Sequence, residues 1–343
     1  MRFQGVQALR AIAALMVVVS HATFYASERL SAGFPVFHAE TGIDLFFIVS
    51  GFVMVFSSRK LWADASGWKT FAKRRIIRIV PMYWLATTVK LLVMLASSGL
   101  VLHETFSLRK TILSYLFLPC RGADGILSPI LSVGWTLCFE MLFYALFALA
   151  MFLRRDVYKF MLVTLGPVAC LWAFQRPTWP TALHFYANTR IIEFLMGMLL
   201  AKITLQGRKC SPGVAYCLIA VGFFLLLPAT GLNLLEPFAL SCGIPATLVV
   251  FGVLSIEQQL KIPNFVILLG DASYVMYLFH PLISPIVPVI LRKLHFAHPW
   301  VSTIGSIGVA ITVGIAIHLF IEKPLTVRLS APSKRVLPLD ATA

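Results

Sequence analysis

Two titratable side chains bracket the first apolar stretch of the chain, ALRAIAALMVVVSH at residues 8–21. Arg10 and His21 share one side of a helix, because eleven steps of about 100° end some 20° past three full turns. At 1.5 Å per residue, roughly 16 Å of helix axis separates them. This spacing suits a long ligand with an anionic end and a reactive end, and we expect both side chains to face a common protein-lined cavity.

Each of these residues also has a structural explanation when it is taken alone. An interior histidine can simply hydrogen-bond a neighbouring helix, and an arginine near a membrane boundary can anchor the topology. The shared helical face of Arg10 and His21 favours a functional site.

An acidic residue enters the next apolar stretch, TGIDLFFIVSGF at residues 41–52. Asp44 is a candidate to orient or charge-balance a neighbouring basic group, and a plain interfacial position is the alternative. Gly42 and Gly51 in the same stretch predict close helix contacts.

A basic cluster follows in FAKRRIIR, residues 71–78. Arg75 and Arg78 are three residues apart and therefore share a helical face beside the membrane. Guanidinium groups bind phosphates in bidentate fashion, so the pair is a candidate site for a phosphorylated ligand or a lipid headgroup. The alternative is a signal that keeps this loop on the cytoplasmic side.

A second acidic residue lies in SVGWTLCFEMLFY, residues 132–144. Glu140 shares a helical face with Thr136, four residues earlier, while Trp135 suits a membrane interface. A carboxyl inside a membrane span is costly unless it is protonated or paired, so Glu140 is a candidate site residue. Structural pairing with a basic group is the alternative.

Two further groups of polar residues occur in later spans. Arg190 and Glu193, three apart in RIIEFLMG, are expected to neutralise one another in an architectural pair. In DASYVMYLFHP, Asp271 is a candidate N-cap, and Tyr277 and His280 share a face as either a structural pair or a substrate contact.

No metal-binding pattern accompanies these residues. The sequence contains no HExxH, no phosphate loop of the GxxxxGK[ST] type and no GxSxG, and no histidine stands at zinc spacing from cysteines. The six cysteines form no CxxC pair and resemble small buried hydrophobic residues. We therefore expect chemistry without a metal.

The composition shows what must position these side chains. Of the 343 residues, 59% are hydrophobic and 13% charged, and the mean hydropathy is +0.86, which predicts an all-α polytopic integral membrane protein. We expect one membrane domain at 1–324 and a short cytoplasmic tail at 325–343. The net charge of +15 does not indicate nucleic-acid binding, because membrane spans interrupt the basic residues.

Hydropathy predicts ten spans of about the length that crosses a bilayer. The stretch TILSYLFLP, 111–119, is too short to cross and is expected to be interfacial or re-entrant. Most of the lysines and arginines fall in connections on the N-terminal side of the membrane, which places both termini in the cytoplasm. The predicted spans are 6–26, 39–58, 77–97, 131–153, 159–175, 185–203, 213–230, 237–256, 272–291 and 301–321.

Seven of these motifs, in the same order, make the chain resemble the membrane-bound acyltransferase-3 family, from Gln7 to Pro324. The opening GVQALRAIAALMVVVSHA looks most like the bacterial exopolysaccharide O-acetyltransferases of that family. The seven matching elements are Arg10 with His21, GIDLFFIVSGF, Arg75 with Arg78, WTLCFE, RIIEFLMG, SYVMYLFHP and the closing IEKP at 321–324.

The resemblance implies transfer of an acyl group, commonly acetyl, from cytoplasmic acyl-CoA to a hydroxyl of a glycan or a lipid-linked sugar. It implies that His21 acts in acyl transfer and that Arg10, Arg75 and Arg78 hold the CoA phosphates. We propose His21 as general base, with an acyl-histidine intermediate also open, and Glu140 as a residue that orients His21 or binds the acceptor.

The resemblance also implies a bacterial inner membrane and work beside polysaccharide-synthesis machinery. Some relatives carry an added hydrolase-like domain, and we expect this chain to complete the transfer without one. The alternatives are acylation of a lipid or small secondary metabolite, or a transporter or flippase whose buried charges line a path.

Overall fold

The computed structural model describes residues 3–96, 106–122, 125, 127–227 and 235–331. Those residues form fourteen α-helices and no strand, which confirms the predicted all-α class. The helices are α1 Gln4–Arg29, α2 Gly42–Ser58, α3 Gly67–Ala96, α4 Leu108–Tyr115, α5 Trp135–Phe152, α6 Val157–Cys170, α7 Thr181–Tyr186, α8 Ile191–Leu205, α9 Pro212–Leu226, α10 Ile244–Ser255, α11 Asn264–Ile283, α12 Ile286–Lys293, α13 Pro299–Ile317 and α14 Lys323–Ser330.

The helices have the length and apolar composition of a multi-pass membrane protein. Within the described ranges, seven helical stretches are long and apolar enough to cross a bilayer. Each of the ten predicted spans overlaps a helix, but α8, α9 and α10 have only 15, 15 and 12 residues. The number ten therefore stays a prediction. The short α4 agrees with the expectation that residues 111–119 do not cross the membrane.

Helices α2 and α8 approach one another closely through two glycines. A Cβ atom on Gly51 would lie 2.1 Å from the Phe194 carbonyl oxygen, and one on Gly197 would lie 2.0 Å from that of Ile48. Real side chains do not tolerate such distances, so glycine at both positions permits the contact. The close contact predicted for Gly51 is confirmed, and it brings Asp44 of α2 beside the start of α8.

We expect the substitution Gly197→Val to destabilise the protein by about 1–3 kcal/mol, because the added side chain forces α2 and α8 apart. The thermal unfolding midpoint of the purified protein in detergent measures the effect. Gly308→Val is the matched control, since no heavy atom lies within 4 Å of a Cβ at that helical glycine. Equal midpoints for the two variants would contradict the close α2–α8 contact.

Helix α1 lies at the centre of the bundle, where it packs against α2, α11 and α13. Its first backbone N–H groups, those of Gln4 and Gly5, donate to the carboxylate of Glu257, which satisfies donors that a helix start otherwise leaves unpaired. Arg10 and His21 both lie on this unbroken helix, as the sequence predicted. The contacts along α1 therefore fix the depth of both side chains.

One detail of the predicted ninth span, 272–291, is wrong. Asp271 does not cap a helix, because α11 begins at Asn264 directly after Pro263 and places Asp271 in its interior. A turn at Ser284 and Pro285 separates α11 from α12, and the two helices together form one of the seven stretches long enough to cross a bilayer, Asn264–Lys293. At the other end of the chain, the proposed boundary at 324 stays a prediction, and residues 332–343 of the tail lie outside the described residues.

Candidate active site

One cavity, of about 100 Å³, gathers the three candidate phosphate-binding arginines. We call it the arginine cavity. Its side chains come from α1, α2, α3, α5 and α11. The packing of these helices brings Arg10 and Arg78, 68 positions apart in the chain, to the same cavity. The lining consists of Arg10, Ile43, Phe46, Phe47, Val49, Ser50, Val53, Met54, Arg75, Arg78, Ile79, Thr136, Leu137, Glu140, Tyr144, Tyr274 and Tyr277.

The three guanidinium groups of this cavity keep their positive charge available. Arg10 Nη1 lies 3.4 Å from Gln7 Oε1, and Arg75 Nη2 donates to Ser57 Oγ at 2.9 Å. In the described part of the chain, none of Arg10, Arg75 and Arg78 forms an ion pair with a carboxylate. Arg10 and Arg75 thus have neutral hydrogen-bond partners, and three guanidinium groups around one cavity are chemically suited to an anionic ligand.

Glu140 is the carboxylate of the arginine cavity. It accepts a hydrogen bond from Ser50 Oγ at 3.0 Å and another from the Tyr144 hydroxyl. The Arg75 guanidinium lies 5.9 Å from the Tyr144 ring centroid, on the same side of the cavity. No contact joins Glu140 to His21 among the described residues, and its predicted roles in orienting His21 or in binding the acceptor stay predictions.

A second cavity, of about 1040 Å³, contains His21, and we call it the histidine cavity. Its wall combines aromatic rings, including Trp135, with the charged side chains Glu28, Arg29, Glu40, Lys90 and Arg190, and with an apolar surface from α11 and α12. A volume of this size with mixed polar and aromatic walls is suited to a large amphipathic or sugar-containing molecule.

The hydrogen bonding of His21 fixes its tautomer when the ring is neutral. Nδ1 lies 3.0 Å from the carbonyl oxygen of Val17. A carbonyl can only accept, so Nδ1 carries the hydrogen and Nε2 keeps its lone pair. His21 lines the cavity, and Nε2 is therefore the atom that can take a proton from a bound hydroxyl.

His280 packs against the His21 ring and lines neither cavity. The two ring centroids are 4.7 Å apart in an edge-on arrangement, and the side chain of His280 is fully buried. Its Nδ1 donates to the Met276 carbonyl at 3.2 Å, on the same pattern as His21. This arrangement favours structural support over substrate contact for His280.

Tyr277 separates the two cavities. It lines both of them, as does Ile43, whereas Arg10 lines one cavity and His21 the other. Our expectation of a common cavity for Arg10 and His21 is therefore wrong in this conformation. The barrier forms because Tyr277 hydrogen-bonds across the bundle to Thr136 and to the carbonyl of Val133, both at 2.9 Å. The predicted pairing of Tyr277 with His280 is replaced by these bonds.

Asp44 balances the positive charge of Arg190, which agrees with the predicted charge-balancing role and not with a plain interfacial position. Its carboxylate is fully buried and accepts from Arg190 Nε at 3.0 Å. The predicted Arg190–Glu193 ion pair is therefore wrong. The close α2–α8 contact places Asp44, and not Glu193, within ion-pair distance of the Arg190 guanidinium. Glu193 lies fully buried beside this pair. The guanidinium also stacks 3.8 Å from the Phe238 ring centroid and 5.7 Å from that of Trp135.

Some site residues were not singled out from the sequence. Tyr144 stands four residues after Glu140, so helical spacing alone predicts a shared face. Ser50 and Ser57 carry no comparable signal, because their partners Glu140 and Arg75 are far away in the chain. Lys90, which also was not singled out, lines the histidine cavity.

Known proteins are similar to this chain over most of its length. The acyltransferase-3 family model, described as "Acyltransferase domain", matches residues 3–319. The chain is 34% identical to the exopolysaccharide production protein ExoZ of Rhizobium meliloti (strain 1021), over 88% of this chain and 93% of that protein. It is 25% identical to acyltransferase MdmB of Streptomyces mycarofaciens, over 94% of this chain and 91% of that protein. No solved structure matches the chain.

Proposed function

This chain belongs to the acyltransferase-3 family and is a membrane acyltransferase, and from that premise we propose that it transfers acetyl from acetyl-CoA to a glycan hydroxyl. The acceptor is a sugar of an exopolysaccharide precursor or a comparable cell-envelope glycan. One observation supports this assignment above all others. Three arginines that form no ion pair with a carboxylate among the described residues line one cavity, and a histidine with a free Nε2 lines the adjoining one, with Arg10 and His21 on the same helix.

The anionic end of the donor binds at the arginine cavity in this proposal. The phosphate groups of CoA bind Arg10, Arg75 and Arg78 through charge-assisted hydrogen bonds, and the pantetheine arm extends along α1 toward His21. The axial distance of roughly 16 Å between Arg10 and His21 suits such an extended arm. Glu140 holds Tyr144 beside Arg75 and so helps to keep that guanidinium in place.

The reaction takes place at His21. The acceptor hydroxyl oxygen attacks the carbonyl carbon of the thioester while its proton moves to His21 Nε2. The carbon–sulfur bond breaks, the acyl group stays on the sugar oxygen, and the CoA thiolate receives the proton. If an acyl-histidine forms first, Nε2 attacks the thioester carbonyl carbon, the carbon–sulfur bond breaks and the CoA thiolate leaves. The sugar hydroxyl oxygen then attacks the acyl carbon, the carbon–nitrogen bond breaks, and the hydroxyl proton passes to the thiolate.

The histidine cavity holds the acceptor. Its volume of about 1040 Å³ exceeds the need of an acetyl group many times over, and its charged and aromatic walls match the hydroxyl groups and apolar faces of sugars. The relative ExoZ is named as an exopolysaccharide production protein. That name favours a polysaccharide precursor as acceptor here.

We place the protein in the bacterial inner membrane with both termini in the cytoplasm. Most lysines and arginines lie in connections on the side where α3 begins, and the positive-inside rule assigns that side to the cytoplasm. The arginine cavity then opens toward the cytoplasmic pool of acyl-CoA. The histidine cavity faces the opposite side, close to glycans under assembly and the enzymes that polymerise them.

Mass spectrometry of cell-envelope glycans tests the proposal. Cells that contain the protein are expected to carry one additional acetyl mass on a glycan repeat, relative to cells from which it is deleted, because transfer adds one acetyl group per site. Re-expression in the deleted cells should restore that mass. Identical acetyl content in all three samples would refute a glycan acceptor. Purified protein in proteoliposomes with labelled acetyl-CoA then shows whether the label reaches lipids instead.

A further inference from the structure

The barrier between the cavities raises a question that the proposed function leaves open. A histidine cavity of about 1040 Å³ with several charged side chains contains water whenever no acceptor is bound. His21 Nε2 can take a proton from water as well as from a sugar hydroxyl. A thioester that reached His21 without an acceptor would therefore be hydrolysed.

The side chains at the barrier are held in a closed arrangement. The Tyr277 and Thr136 hydroxyl oxygens lie 2.9 Å apart, and each is also within hydrogen-bond distance of the Val133 carbonyl oxygen, at 2.9 Å for Tyr277 and 3.1 Å for Thr136. The two hydroxyl groups share two protons among these three contacts. The Tyr277 ring also packs against Phe46, with centroids 5.8 Å apart. These hydroxyl contacts and the aromatic contact hold the Tyr277 ring where it lines both cavities.

Tyr277 also contacts the space on either side. Ile43 and Tyr277 line both cavities, and the hydroxyl bonds connect Tyr277 of α11 to the start of α5. A molecule bound in the histidine cavity therefore touches the same ring that blocks the donor. A molecule that binds in the histidine cavity can therefore change the conformation of Tyr277 and, with it, access from the arginine cavity.

We propose that Tyr277 is a gate that keeps the donor thioester out of the histidine cavity until an acceptor occupies it. This inference rests on the proposed function and adds a positioning residue to it. With the gate open and no acceptor present, a water oxygen attacks the thioester carbonyl carbon and His21 takes its proton. The carbon–sulfur bond breaks, the CoA thiolate takes up the proton held by His21, and the acetic acid that forms releases its remaining proton to solvent as acetate.

The test measures release of the CoA thiol from acetyl-CoA by purified protein without acceptor. Tyr277→Phe removes the hydroxyl contacts but keeps the ring, and we expect it to raise acceptor-free hydrolysis at least about fivefold, the factor that corresponds to one net hydrogen bond of about 1 kcal/mol. Thr136→Val is expected to raise hydrolysis as well, because it removes the bond to Tyr277 with little change in shape. Tyr186→Phe is the control, since Tyr186 lines neither cavity.

The outcomes separate the gate from the proposed function. Wild-type protein is first assayed for transfer of labelled acetyl to the glycan fraction of cells that lack the protein. Transfer by the wild type, together with raised hydrolysis in both variants and not in Tyr186→Phe, supports the gate. Transfer by the wild type with unchanged hydrolysis in Tyr277→Phe and Thr136→Val overturns the gate alone. A wild type that neither transfers nor hydrolyses overturns the proposed function and the gate with it.

Discussion

Replacement of His21 by alanine is expected to lower acyl transfer about 10²–10⁴-fold, the usual contribution of a general base. CoA binding should change little, because the arginines that bind the phosphates line a different cavity from His21. Transfer of labelled acetyl measures the first effect, and titration with CoA measures the second. A loss of both together would place His21 in donor binding or folding.

The size of the histidine cavity offers a sharper version of this test. Removal of the ring leaves space for free imidazole, so added imidazole is expected to restore part of the activity of His21→Ala if the ring acts as a base. His295→Asn is the matched control, because His295 is exposed and asparagine tolerates its positive φ of 55°. Unchanged transfer in His21→Ala would remove His21 from the mechanism.

The double substitution Arg75→Ala, Arg78→Ala is expected to weaken CoA binding at least about 100-fold. A hydrogen bond to a charged group contributes about 1.5–3 kcal/mol, and two guanidinium groups are lost. Isothermal titration of CoA into the purified protein gives the dissociation constant. Binding by the wild type should also weaken as salt concentration rises.

The control for this substitution lies on the same helix. Arg74→Ala removes an equal charge from an exposed position that lines neither cavity, so it should change the dissociation constant far less. Similar losses in Arg74→Ala and in the double variant would mean that only the general positive charge of the loop matters. An unaltered affinity in the double variant would exclude Arg75 and Arg78 from the donor site.

The sequence predicted those features that depend on spacing within one helix. Arg75 and Arg78 line one cavity, as a shared face at 3.6 residues per turn predicts, and Arg10 and His21 lie on one unbroken helix. Membrane character follows from hydropathy alone. The order of short motifs indicated the family, which the match over residues 3–319 confirms.

Features that depend on contacts between distant helices could not be predicted in the same way. Arg190 was assigned to Glu193 because the two are neighbours in sequence, but tertiary packing gives it Asp44, 146 residues away. The barrier at Tyr277 is likewise made by residues of α2, α5 and α11, and no local pattern shows that three helices meet there. The meeting of these three helices at Tyr277 also explains why Arg10 and His21 line two cavities and not the single cavity that we expected.

The most direct test of this account is a cryo-electron microscopy structure with a ketone analogue of acetyl-CoA, in which a methylene group separates the sulfur from the carbonyl. We predict that the phosphates lie against Arg10, Arg75 and Arg78, with the ketone end directed along α1 toward Tyr277 and the His21 ring beyond it. Phosphates bound outside the arginine cavity, or a ketone end directed away from Tyr277, would contradict the proposed division of the site.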